Sequence, residues 1–207
     1  MAKLWEKNYR LDALLEAFTV GDDWQIDARL VGADCAASVA HAAMLQAIGL
    51  LTHSELEGLR RELLAIADDA SKGAFPTALP YQDCHTAIDT GLVAALGDAG
   101  KKIHTGRSRN DQVLVALRLW IRDYLLAFEE ACLALADRLL DFAGRHADVP
   151  MPGRTHLQPA MPSSVGLWAA AHAEELIDDL VVADAAFHLA DACPLGSAAG
   201  YGVSLPL

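Results

Sequence analysis

The sequence predicts an all-α protein. Three observations point that way. Apolar residues recur at spacings of three and four along most of the chain, helix start and stop signals bracket those runs, and alternating strand patterns are nearly absent. The expected architecture is an N-terminal helical domain over residues 1–107, then two very long helices in a partial helical bundle over residues 108–207.

The elements follow in order. Residues 27–50 are Ala-rich with helical apolar spacing, and Gly49 is the stop signal. Thr52 with Glu55 three residues later is a capping box. The helix it opens should run to Lys72, with Gly73 just past its end. Pro76 and Pro80 in "FPTALPYQ" then break the chain, and 83–96 is a shorter helix closed by Gly97. Residues 111–146 contain no proline, and no glycine before Gly144. Leu117, Ile121, Tyr124, Phe128, Cys132, Leu135 and Leu139 make that helix apolar on most sides, so it should lie inside a bundle. The prolines at 150, 152, 159 and 162 should prevent regular structure between the long helices. Ser163 or Ser164 should cap the second long helix, which runs to Ala190. Trp168, Leu176, Leu180 and Phe187 should face inward, and Glu174, Glu175, Asp178 and Asp179 outward.

Composition narrows the function classes. The 207 residues are 53% hydrophobic with a mean hydropathy of +0.22, so the apolar surplus should be buried, in part at a subunit interface. The formal net charge is −12, which argues against a nucleic-acid partner. No apolar run free of charges reaches the roughly 20 residues a bilayer requires, so no membrane partner is expected. The opening "MAKLWEKNYR" has no apolar signal core. Cys35, Cys84, Cys132 and Cys193 are widely spaced with no CxxC pair, which fits a reduced, cytoplasmic protein.

Against that acidic background, "KKIHTGRSRNDQ" gathers Lys101, Lys102, Arg107 and Arg109, 4 of the 16 Lys and Arg residues. It sits just before the first long helix, where Ser108 or Asn110 could be the N-cap. A helix N-terminus beside two guanidinium groups suits a small carboxylate or phosphate, although a solvated basic loop is the simpler alternative. "MPGRTHLQPAMPSS" holds Thr155, His156 and Gln158, residue types suited to anion binding and proton transfer, or to a plain helix connector. The glycines of "PLGSAAGYG" allow close approach to a ligand or tight packing. Asp83 and His85 begin a helix, where capping explains an acid. His41 and His172 lie in apolar helices and should be partnered core or interface residues. With no HExxH, triad or EF-hand pattern, neither metal nor cofactor is expected.

Taken together, "KKIHTGRSRNDQ", "MPGRTHLQPAMPSS" and "PLGSAAGYGVSLPL" resemble the argininosuccinate lyase family of the fumarase/aspartase superfamily. The opening "KLWEKNYRLD" and "SVAHAAMLQAIGLLT" are similar to its N-terminal region. The resemblance implies β-elimination of argininosuccinate to arginine and fumarate. It implies a homotetramer whose sites each draw on three subunits. Residue by residue, it implies that Asn110 and Thr155 bind substrate and that His156 assists proton transfer. Arg109 and Ser108 are implied as carboxylate contacts or supports, with Gln158 beside His156; Asp83 and His85 resemble a short Asp-x-His element.

There are departures. Arg154 stands where many members have Tyr, and "EKNY" and "TVGDD" stand where others have GGRF and a substrate-binding serine segment. The family's flexible loop, with its serine base and lysine, has no counterpart before Leu207. The expectation is therefore an N-terminal portion of such a lyase, weakly active or inactive alone. The alternatives are a non-catalytic assembly module docking on full-length subunits, or another lyase of the superfamily.

Overall fold

The computed structural model describes residues 12–77, 81 and 83–206. Pro80 and the segment "KLWEKNYRL" lie outside the described residues. The chain forms two compact units. One comprises the described residues of Met1–Trp120 and Cys193–Leu207, and the other is Ile121–Ala192.

The first unit begins with α1 (Ala13–Val20), capped by Asp12, and the short α2 (Asp23–Ile26). A 3₁₀ turn (Asp27–Leu30) leads into α3 (Val31–Ala47). α4 (His53–Ser71) starts at the expected capping box. Thr52 Oγ1 accepts from Glu55 N–H at 3.2 Å, and the Glu55 carboxylate accepts from Thr52 N–H at 2.8 Å. Gly73 follows its end with φ +69°, the left-handed conformation that favours glycine. α5 (Cys84–Leu96) is capped by Asp83 and closed by Gly97. α6 (Asp98–Lys102) is a single turn absent from the sequence expectation. Its Gly100 is required by packing, since a Cβ there would sit 2.4 Å from Leu92 O. α3, α4 and α5 enclose a core of Leu45, Leu59, Leu63, Ile88 and Leu92, joined by Ile103.

The stretch Asp23–Ala47 corrects one sequence expectation, because it is long and apolar enough by composition to cross a membrane. Its buried residues include Cys35, Ala42 and Leu45 of the core and the charged Asp34. That is how the core helix of a folded domain packs.

α7 (Arg109–Arg145) is a 37-residue helix, about 55 Å long, contributing 109–120 to the first unit and 121–145 to the second. The second unit continues with β1 (Pro150–Thr155), β2 (Gln158–Ser164) and α8 (Val165–Ala190). The proline-rich connector is thus a regular antiparallel ribbon, contrary to expectation. Both strands of a two-stranded ribbon are edges, where a missing N–H costs little, and Pro152 pairs with Pro162. The register shifts between Pro152 and Arg154, where a Cβ on Gly153 would lie 2.8 Å from Met161 O. Ser164 is the cap of α8, accepting from Leu167 N–H at 3.0 Å.

The long helices bury narrow stripes of small residues. Cys132, Ala136 and Ala143 are buried on α7, and Gly166, Ala169, Ala173 and Ala183 on α8. Leu176, Leu180 and Phe187 are half-buried along the same stripe. Trp168 is 52% exposed, a correction to its expected inward position. Leu117, Tyr124, Phe128 and Leu135, expected inside a bundle, are exposed as well. Two helices have only one contact face each, so the rest of each apolar circumference stays uncovered. Arg122 ties the far end of this unit, 3.0 Å from Asp191 and over the Phe187 ring.

Candidate active site

The start of α7 is built on a buried polar network in the first unit. Asp34, in the first turn of α3, is its centre and is fully buried. Its Oδ2 accepts from His85 Nδ1 at 2.7 Å and Gln112 Nε2 at 2.8 Å, and its Oδ1 accepts from Ser38 Oγ at 3.0 Å. Arg107 Nη1 donates to Ser38 Oγ at 3.1 Å. Arg109 Nη1 donates to Gln112 Oε1 at 2.7 Å, and its Nη2 lies 3.4 Å from Asp89 Oδ2. A buried carboxylate is tolerated only with such donors around it. The network fixes the cationic loop against α3 and α5.

Ser108 is the N-cap of α7. Its Oγ accepts from Asp111 N–H at 3.3 Å, while Asp111 Oδ2 accepts from Ser108 N–H at 2.8 Å, a capping box with aspartate at the third position. Ser197 Oγ donates to Asp111 Oδ1 at 3.1 Å, which brings the Gly-rich tail onto the same helix start. Asn110 stands exposed in the first turn. Ser108 and Arg109 are half-buried beside it. The helix N-terminus, Asn110 and the open edge of Arg109 together suit a carboxylate.

Burial shapes the titration of this region. Burial pushes the Asp89 carboxyl up, against the pull of Arg109 and Arg107. Burial lowers His104, although Asp89 opposes it. His41 is lowered to about 4, first by burial and then by Arg107. Its Nε2 meets Thr105 O at 2.9 Å and donates to it, as the sequence expectation of a partnered core histidine required. His172 is exposed instead, 3.1 Å from Glu175. His41 and Arg107 also line a cavity of about 290 Å³ closed by Leu195 and Gly196 of the tail.

Thr155, His156 and Gln158 lie together in the second unit. Thr155 pairs with Gln158, and His156 and Leu157 form the two-residue turn between the strands. Their φ angles are +48° and +64°, the left-handed pair of a primed hairpin turn that glycine or asparagine normally supplies. Holding two other residues there costs about 1–3 kcal/mol each, and such strain gathers at functional sites. All three side chains are exposed. Asp83 caps α5, accepting from Thr86 N–H at 2.6 Å, and His85 is buried on Asp34.

Asp34, Ser38, Asp89, Gln112 and Ser197 escaped the sequence reading. Asp34 did leave a signal, as the one acid within the apolar run "LVGADCAASVAHAAM".

The chain is built mainly of long helices, with a cationic loop at the start of α7. The sequence matches the family model described as "Lyase" over residues 6–206, and the chain belongs to that family. It is 50% identical over 205 residues to "Argininosuccinate lyase" of Sorangium cellulosum, covering 99% of this chain and 48% of the relative. The same name and identity apply to a protein of Phocaeicola vulgatus, of which 46% is covered. The chain thus spans about half the length of the curated relatives it matches. Among solved structures, a variant of EDDS lyase with bound fumarate superposes with TM-score 0.70 at 28% identity, covering 91% of this chain and 35% of that one.

Proposed function

We propose that the chain is the N-terminal portion of an argininosuccinate lyase. The observation behind this reading is the 50% identity to proteins of that name across 99% of the chain. The local geometry supports it. Elimination of fumarate from argininosuccinate removes a proton beside a carboxylate and accumulates negative charge on that carboxylate. Donors already aimed at the growing charge are the main catalytic lever. Asn110, Ser108, Arg109 and the α7 N-terminus supply such donors in this reading. Thr155 and Gln158 bind substrate, and His156 assists proton transfer. Asp83 and His85 act by building the region, one as a cap and one as a buried partner of Asp34.

The base that removes the first proton is assigned to none of these residues. In the same proposal the substrate sites are shared between subunits of a homotetramer, and the exposed apolar sides of α7 and α8 are where further helices pack. The setting is the cytoplasm, where Cys35, Cys84, Cys132 and Cys193 stay free of disulfides. The test joins this chain to the remainder of the Sorangium cellulosum relative and offers argininosuccinate, adenylosuccinate, aspartate and malate. Fumarate release from argininosuccinate alone is expected. Preference for another substrate would move the chain to a different branch of the superfamily.

A further inference from the structure

We propose that Asp27, Cys84 and His85 form a binding site for a divalent cation of the zinc class, separate from the substrate-binding residues. The three sit where the 3₁₀ turn before α3 meets the first turn of α5. One carboxylate oxygen, the Sγ and one ring nitrogen lie within 4.8 Å of one another. Cys84 and His85 are 0% and 1% exposed, and Asp27 is half-buried, which leaves an entry path.

The second observation is independent of that clustering. Among the described residues, His85 Nε2 is buried with no hydrogen-bond partner. A ring nitrogen in that state needs an explanation, and an ion is one of the few that fit. Nδ1 of the same ring is held by Asp34 at 2.7 Å. That is the carboxylate–histidine arrangement that orients a metal-ligating imidazole and fixes its tautomer, leaving Nε2 as the ligand.

The donor chemistry suits zinc. Thiolate, imidazole and carboxylate are its protein ligands, at about 2.3, 2.0–2.1 and 2.0–2.2 Å, and water takes the fourth position. Thiolate and carboxylate together cancel the charge of the dication, so the loaded cluster is neutral apart from its surroundings. The Cys84 proton is released to solvent on binding. Tetrahedral donors stand roughly 3.3–3.8 Å apart, so the three groups close by about 1.5 Å at most on loading. Calcium and magnesium are disfavoured, because they take oxygen ligands. No sequence motif announced the site, since two ligands are adjacent and the third is far upstream.

The experiment titrates cobalt, a spectroscopic substitute for zinc, into the Cys193→Ser chain, which removes the exposed thiol. Expected are one cobalt per chain, an intense tetrahedral visible spectrum and a thiolate-to-cobalt charge-transfer band, all abolished by Cys84→Ser and reversed by zinc. His85→Gln should weaken binding at least about 10-fold. X-ray absorption of the zinc-loaded chain needs no variant that might misfold, and should show one sulfur among nitrogen and oxygen ligands. A shell without sulfur, or a thiolate band that survives Cys84→Ser, overturns the proposal.

Discussion

Gln112 Nε2 donates to Asp34 Oδ2 at 2.8 Å across 78 positions of sequence. That bond ties the first turn of α7 to the first turn of α3. His85, Ser38 and, through Ser38, Arg107 converge on the same carboxylate. Replacing it with an amide leaves buried donors facing an NH₂ group. Asp34→Asn should cost about 3 kcal/mol, as expected when one member of a buried charged network is removed. Urea unfolding would measure it, and a loss under about 1 kcal/mol would mean the network is not rigid.

In the second unit, α7 and α8 meet closely at Gly166. A Cβ there would sit 2.6 Å from Ala143 O and 2.7 Å from Ala147 Cα. Backbone atoms cannot yield as a side chain can. Gly166→Ala should destabilise by about 2–3 kcal/mol, although alanine is the better helix former. Thermal unfolding beside the unaltered chain would decide it.

Leu157 adopts φ +64° at the hairpin turn. Glycine carries no steric penalty there. Leu157→Gly should therefore stabilise the chain by about 1 kcal/mol, despite the added freedom of the unfolded state. A lower melting temperature would show that Leu157 has a packing role its exposure conceals.

His41 gives a pH dependence whose sign can be worked out. Its ordinary value of 6.5 is lowered to about 4 by burial and by Arg107, with His104 adding to the effect and Asp111 and the Thr105 carbonyl opposing it. At pH above 6.5 the ring is neutral in both folded and unfolded chains and contributes nothing to the pH slope. Below that, the unfolded chain takes up a proton that the folded chain refuses, so stability falls as pH falls towards 4. The loss reaches about 1 kcal/mol by roughly pH 5.5. His41→Gln removes this part of the slope, leaving that of His104, which is lowered in the same sense. Unfolding free energies at several pH values would test it.

Local signals made much of this fold readable. The Thr52–Glu55 box, Gly73, Gly97, Asp83 and Ser164 all act at helix ends as their chemistry dictates. Cap chemistry involves neighbours within a few residues, which is why sequence reveals it. The ribbon at 150–164 was missed because proline is forbidden only in strands with partners on both sides. Trp168 was misplaced because helical periodicity identifies a stripe but not its width. The Asp34 network joins residues up to 78 positions apart, and no local pattern encodes such pairing. The Ser108–Asn110 and Thr155–Gln158 segments stood out as polar groups at a helix start and a turn. Their distribution over two compact units became visible only in three dimensions.

The most direct measurement is fumarate release from argininosuccinate, followed by ultraviolet absorbance, for the chain joined to the remainder of a 50% identical relative. The account predicts turnover that falls at least about 100-fold in His156→Ala, the lower end of what a general acid or base contributes. It also predicts a large loss in Asn110→Ala. A folded, oligomeric fusion that releases no fumarate, or one whose rate is unchanged by both substitutions, would contradict it.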